Sequence, residues 1–189
     1  MTNSERVMIF IDGSNLYFSL KNIKARRPEL PSLMQFSLKK LGEKLCDNDR
    51  KLIRTYYYNA ALDLSKDKDA YQSQQKWFAK VQATPDTELV LAKRHRRVDK
   101  EGRVYYSIKG DDIHLAIDML KYAFNNAYDT AILVTGDGDF YPAIRAVKAY
   151  GKRVEHAYFK SGHSSLLSQE CDRNTLLDPL IEDLFDYTK

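Results

Sequence analysis

Three groups of acids stand where chemistry could be done. Asp12 directly follows the apolar run Val7–Ile11, in Ile11-Asp12-Gly13-Ser14-Asn15. Asp137 and Asp139 follow a second such run, in Val134-Thr135-Gly136-Asp137-Gly138-Asp139-Phe140. Asp111 and Asp112 come just after Lys109-Gly110 and open the most periodic helical stretch of the chain. Carboxylates gathered at one place repel each other and hold protons more tightly unless a cation is present. Hard oxygen ligands suit Mg²⁺ or Mn²⁺, and no His/Cys set competes for zinc. Such an ion can polarise a phosphate, lower the pKa of a bound water and stabilise a leaving oxygen. Phosphodiester hydrolysis is the chemistry that follows.

Whether these acids meet depends on the elements that carry them. Val7–Ile11 and Ala131–Thr135 are short and fully apolar, the pattern of strands buried on both faces. Leu52–Ala60, Thr87–Val98, Arg103–Ile108 and Arg153–Phe159 read as further strands. The turn signal Asp99-Lys100-Glu101-Gly102 joins two of them as a hairpin. Helices are expected over Leu33–Leu45, Ala70–Val81, Asp111–Phe124 and Tyr141–Tyr150, the last stopped by Gly151. In Asp111–Phe124 the residues Ile113, Ala116, Ile117, Leu120 and Phe124 recur at helical spacing and are the expected core face. The tail, Ser164–Asp186, reads as helix in two pieces broken near Asp172–Asn174.

Strands alternating with helices predict an α/β fold, a parallel sheet covered on both faces. In such sheets ligands bind outside the carboxyl ends of the strands. All three acidic groups fall at positions that this topology brings to one edge. Plainer roles compete: an Asp after a strand often caps the next helix, which applies to Asp139, and a first-turn acid such as Asp111 is favoured by the helix dipole. Asp118 shares a polar helix face with Asp111, His114 and Lys121. It lies about 9 Å along the axis from Asp112, which leaves it a supporting role rather than shared coordination. Ser14 and Asn15 could cap the following helix or hold a water near Asp12.

Composition sets outer bounds. The 189 residues suit one domain, and the net charge of +4 permits nucleic-acid binding without demanding it. Charge distribution is more informative: six Lys/Arg against two acids lie between Lys93 and Arg103, whereas the last eighteen residues hold five acids against two bases. No apolar run approaches the roughly 18–20 residues needed to span a bilayer, and nothing at the start reads as a signal peptide. A cytoplasmic protein with no membrane partner is expected. Cys46 and Cys171 belong to no spaced array and are expected to be inert thiols. No Gly-x-Gly-x-x-Gly follows the first strand, so a dinucleotide site is excluded.

Ile11-Asp12-Gly13-Ser14-Asn15, Lys109-Gly110-Asp111-Asp112 with Asp118, and Thr135-Gly136-Asp137-Gly138-Asp139-Phe140 resemble, in order and spacing, the three signatures of NYN domains, especially the LabA-like branch. Asp111 departs from the pattern, since an apolar residue is commoner there. The resemblance implies a PIN-like, Rossmannoid single domain over residues 1–189, with the helical segment 164–186 packed on or extending it. It also implies metal-dependent RNA cleavage, and its motif residues map onto Asp12, Asn15, Asp112, Asp118, Asp137 and Asp139. Toprim and haloacid-dehalogenase-type sites fit less well. The first needs a glutamate where Asp12 stands, the second an acid where Ser14 stands.

The expected site therefore has Asp12, Asp112, Asp137 and Asp139 as ligands of Mg²⁺ or Mn²⁺. Asn15 would position water or phosphate, with Asp111, Asp118, Ser14 and Thr135 in support. Single-stranded RNA would be held by Lys93, Arg94, Arg96, Arg97, Arg103 and Lys109, while Tyr105, Tyr106 and Tyr56–Tyr58 stack on bases. A non-catalytic RNA-binding or scaffolding module that kept the acidic edge is the alternative. Exposed tyrosines or the C-terminal helices could support a homodimer.

Overall fold

The computed structural model describes residues 4–47, 49–92, 94–98, 101–102, 104–108 and 110–187. Val7, Ile9 and Ile11 of β1 (Arg6–Asp12) bury on one face of a sheet and Met8 and Phe10 on the other, as its unbroken apolar run requires. The same holds for β6 (Thr130–Val134), where Ile132 and Val134 face one core and Ala131 and Leu133 the other. These two strands lie side by side at the centre of a six-stranded, all-parallel sheet. Its other members are β2 (Lys51–Ala60), β3 (Thr87–Ala92), β7 (Arg153–Tyr158) and β8 (Arg173–Leu176), in the order β3-β2-β1-β6-β7-β8. The chain is a single α/β domain.

Helices cover both faces. Leu16, Leu20 and Ile23 of α1 (Gly13–Arg26), Leu38, Leu41 and Leu45 of α2 (Leu38–Cys46), and Phe78 and Val81 of α3 (Lys68–Ala83) fill one core. Leu115, Met119 and Ala123 of α4 (Asp111–Phe124), Ile144 and Val147 of α5 (Tyr141–Ala149), and Leu167 of α6 (Ser165–Glu170) fill the other. From β1 the chain builds outward through β2 and β3. It then returns beside β1 as β6 and builds the other way through β7 and β8. The strand order thus reverses between β1 and β6, and the loops leaving them diverge to opposite faces, opening a crevice at their carboxyl ends.

Four local expectations change. Leu33–Leu45 is a 3-10 turn, Leu33–Gln35, followed by α2. Ser37 accepts from the Lys40 N–H and restarts the chain as a true helix. Thr87–Val98 is two strands: β3 ends at Ala92, and β4 (Arg94–Val98) pairs antiparallel with β5 (Val104–Ile108) in a separate hairpin. The tail is not two helices. After α6 it contributes the short edge strand β8, whose residues are mostly exposed and so carry no apolar pattern, and then a 3-10 segment, Asp178–Leu184, opened by Pro179. Ile181 and Leu184 pack that segment into the first core.

The fourth change concerns α4. Its bounds agree with the sequence pattern, but its orientation agrees only in part: Ala116 and Leu120 pack half-buried against the second core, whereas Ile113, Ile117 and Phe124 are exposed and the buried side is Leu115, Met119 and Ala123. The helix is apolar on two faces, so periodicity alone could not choose between them. Met119→Ala should therefore cost about 2–5 kcal/mol. Ile117→Ala should change stability by no more than about 0.5 kcal/mol. Urea unfolding of both variants distinguishes the two orientations, and the reverse ranking would reject the observed one.

Candidate active site

Asp12 is the last residue of β1 and caps α1. Its Oδ1 accepts from the Asn15 N–H at 3.0 Å. Its Oδ2 accepts from the Thr135 hydroxyl at 2.9 Å, a bond that crosses from β1 to the residue just past β6. The carboxylate is 8% exposed, and a buried acid of this kind is tolerable only when bonded. The Thr135 Oγ1 in turn accepts from the Asp137 N–H at 3.1 Å, and Asp137 Oδ1 accepts from the Asp139 N–H at 2.9 Å. Asn15 closes the circuit: its Oδ1 accepts from the Gly136 N–H at 3.0 Å. Asp12, Asn15, Thr135, Asp137 and the Asp139 backbone thus form one hydrogen-bonded unit at the point where the strand order reverses. Ser14 is half-buried in the first turn of α1, and Asp139 is exposed.

Two glycines make this unit compact. A Cβ on Gly136 would stand 1.5 Å from the Gly162 carbonyl oxygen, so the loop after β7 and the loop after β6 touch backbone to backbone. A Cβ on Gly13 would stand 2.5 Å from the Tyr57 ring, whose hydroxyl donates to the Gly13 carbonyl at 3.2 Å. Tyr57 is fully buried and its pKa is pushed up to about 12 by burial. Tyr56, Tyr57 and Tyr58 are all core residues, so the expectation that they stack on bases is wrong. An alternating strand buried on both faces hides every ring, and Tyr56 instead stacks on Phe10 at 5.7 Å and Tyr122 at 5.1 Å.

Helix α4 brings the remaining acids. Gly110 precedes it at φ 119°, a conformation that residues with a Cβ rarely adopt, and lets the chain turn from the hairpin into the helix. Asp112 is exposed in the first turn, and the backbone of Asp111 opens the helix. Asp118 is not merely a solvated residue paired with Lys121. It accepts from the Tyr58 hydroxyl at 3.1 Å as well as meeting Lys121 at 3.5 Å. Tyr58 is the register partner of Asp12, so Asp118 fastens α4 beneath the site-bearing strands. Burial, and then the Asp118 charge, push the Tyr58 pKa far upward, which keeps this hydroxyl a donor.

The oxygen donors are of the right chemistry for Mg²⁺ or Mn²⁺. Among the described residues, however, no three His, Cys, Asp or Glu side chains stand close enough together to hold an ion. Mg²⁺ commonly keeps several waters and takes only one or two carboxylates, so the arrangement fits a hydrated ion rather than an all-protein cage.

The basic hairpin leaves β3 and returns into α4, which places its backbone beside the same edge. Arg94, Arg96 and Arg97 occupy β4, opposite Ile108, Tyr106 and Tyr105 of β5 in register. Lys93, Arg103 and Lys109 lie outside the described residues. Cys46 and Cys171 are buried and unbridged, and burial pushes the Cys171 thiol up to about 12, as expected of an unreactive sulfur.

Sequence reasoning missed His156 and the loop after β7. His156 is fully buried in β7, and its Nε2 lies 2.8 Å from the Thr135 carbonyl. A carbonyl only accepts, so Nε2 carries the proton, and Nδ1 is left to accept from the Ser168 hydroxyl at 3.3 Å. Its signal was a lone histidine in a strand that also carries Arg153 and Glu155. Gly162 carried no signal at all.

A sequence profile of the NYN domain matches residues 6–178. The chain belongs to the NYN domain family. That family has a PIN-like nuclease fold, and its members are generally nucleases. The chain is 39% identical over 61 residues to the uncharacterized protein MJ0482 of Methanocaldococcus jannaschii. That match covers 32% of this chain and 25% of the relative, so only about a quarter of the archaeal protein is spanned. A crystal structure of a protein of unknown function, VPA0982 from Vibrio parahaemolyticus, superposes with a TM-score of 0.70 at 20% identity. It covers 98% of this chain and 99% of that one, a likeness of fold. Among the described residues no helix of this NYN domain is long and apolar enough to cross a membrane.

Burial lowers the His156 pKa from its ordinary 6.5. The unfolded chain then binds more protons than the folded one below that value, so this contribution to stability is complete above about pH 6.5 and is lost as pH falls. His156→Gln should remove it. Urea unfolding at pH 7.5 and 5.5 should show a larger acid loss in wild type than in the variant, by up to about 1.4 kcal/mol per pH unit. Equal losses would mean that the histidine is not held neutral by burial.

Proposed function

We propose that this NYN domain is a divalent-metal-dependent ribonuclease of the LabA-like kind, acting on single-stranded RNA. The observation that carries the reading is the bond from Thr135 to Asp12. It draws the carboxylate ending β1 to the loop bearing Asp137, at the crevice where sheets of this topology bind ligands. Mg²⁺ or Mn²⁺, when bound, would neutralise phosphate charge and make water a better nucleophile at neutral pH. Asp12, Asp112 and Asp137 would hold the ion, with Asp139 as a further ligand or an acceptor that orients water.

The other residues position these groups. Thr135 and the Asn15 N–H hold the two Asp12 oxygens in fixed directions, and Asn15 ties α1 to Gly136. Fixed donors and acceptors of this sort lower a barrier because no reorganisation is needed during reaction. Asp118 and Tyr58 hold α4 so that its first turn, with Asp112 and Asp111, stays at the same edge. Lys93, Arg94, Arg96, Arg97, Arg103 and Lys109 would follow the RNA backbone by charge, which predicts weak sequence preference. We assign the whole chain, residues 1–189, to this one domain with segment 164–186 included, and place it in the cytoplasm.

A second reading, a non-catalytic RNA-binding module, draws on the lack of a gathered three-acid cluster among the described residues. Cleavage of end-labelled single-stranded RNA separates the two. Wild type should cut with Mg²⁺ or Mn²⁺ and not with EDTA, and Asp112→Asn should lose on the order of a hundredfold or more in rate. Binding without cleavage of RNA, DNA or duplex would leave only the second reading. Activity surviving in Asp112→Asn would move the site elsewhere. In EDTA at low salt, Arg94→Glu with Arg96→Glu should weaken RNA binding, and unchanged affinity removes the hairpin from the interface.

A further inference from the structure

Helix α1 begins at Asp12 and packs its inner face tightly: Leu16, Leu20 and Ile23 enter the core, and Ser19 lies against Gly162. Its outer face should be polar, as on any amphipathic surface helix. Instead it presents two adjacent aromatic rings, Tyr17 and Phe18, 48% and 60% exposed. They meet edge to face, with centroids 5.5 Å apart and planes at 69°, so each braces the other while offering a surface outward. Exposed Lys21 follows one turn on, three residues from Phe18 and four from Tyr17, which places it on the same side of the helix. By helix rise the rings lie about 7.5 and 9 Å along the axis from Asp12.

We infer that Tyr17 and Phe18 are a base-stacking platform for single-stranded RNA, holding the nucleotides next to the scissile phosphate, with Lys21 meeting the backbone. The proposal rests on the nuclease reading for its substrate class and replaces the buried β2 tyrosines as the stacking element. Three features select a nucleic-acid strand as occupant. The aromatic pair is continuous, along one helix, with the acid that begins it. A cation stands beside it, as single-strand binders require. The two rings also offer at most about 300–500 Å². That falls short of the roughly 800 Å² per partner of a stable protein interface. Stacking is tolerant of base identity, because every base has a π-face, and so agrees with a site that reads no sequence.

The test measures binding in EDTA, where cleavage plays no part, using a fluorescein-labelled ten-nucleotide oligoadenylate and an abasic ribose-phosphate chain of equal length. Tyr17→Ala with Phe18→Ala should weaken oligoadenylate binding by roughly 25-fold or more, at no less than about fivefold per ring. It should leave the abasic chain within twofold and the thermal midpoint unchanged, since both rings are exposed. Phe18→Trp should retain oligoadenylate affinity, and Lys21→Gln should weaken both probes alike. An equal loss on both probes, no loss on either, or a loss of self-association with RNA affinity intact would each overturn the platform. If wild type cuts no RNA yet the base-dependent loss appears, the nuclease reading fails and the platform stands. If cleavage is robust and the double variant binds normally, the platform fails and the nuclease stands.

Discussion

Everything at the candidate site depends on how β1 is held beside β6. Their register runs from Val7 opposite Thr130 to Ile11 opposite Val134, and the pair is locked at both ends by side chains. At the amino end the Arg6 guanidinium meets Asp129 through two nitrogens, at 2.7 and 3.1 Å, which holds that carboxyl below its usual range. At the carboxyl end Thr135 donates to Asp12. A slip of one residue would turn every apolar side chain of β1 to the wrong core and part Asp12 from Thr135. Hydrophobic burial and site assembly therefore select the same register.

The site edge is unusually polar for a place so well buried, and its order follows from that. Asp12, Thr135 and His156 are each less than a tenth exposed, and each has found a partner in a neighbouring element. A buried polar group left unbonded costs about 1–3 kcal/mol, so such a chain tolerates few alternative arrangements. The backbone contact between Gly136 and Gly162 adds a steric limit of the same kind, since any side chain on Gly136 must push the β7 loop away. What this rigidity holds in place is two directions: that of the Asp12 carboxylate and that of the turn carrying Asp137.

The parts legible in the sequence were those where one local pattern decides the outcome. Two short apolar runs, Val7–Ile11 and Ala131–Val134, marked the two central strands, and Gly110-Asp111 marked the start of α4 to the residue. The parts that were not legible depend on what arrives from elsewhere. Ile113, Ile117 and Phe124 have the spacing of a core face, yet Leu115 and Met119 are the residues that meet the sheet, because α4 is apolar on both sides. Tyr56–Tyr58 look suited to bases until α4 covers Tyr56 and Tyr58 on one face of the sheet and Gly13 and Trp77 meet Tyr57 on the other. Strand β8 is four residues at a sheet edge, and its hydrogen bonds to β7 are the whole reason it is a strand. His156 joins the candidate site only through the carbonyl of Thr135, two positions past its register partner Leu133 on the neighbouring strand.

The acids also reach the edge by two independent routes, and this bears on how a metal could be held. Asp12 and Asp137 are fixed by strand pairing and by Thr135. Asp112 and Asp118 come on a helix whose attachment is Tyr58 and the Leu115–Met119 contacts. A cage built by one element would be rigid before any ion arrived, and its mutual repulsion would have to be borne by the fold. Under the proposed function, two routes meeting at one crevice would let the acids stay apart until a cation screened them.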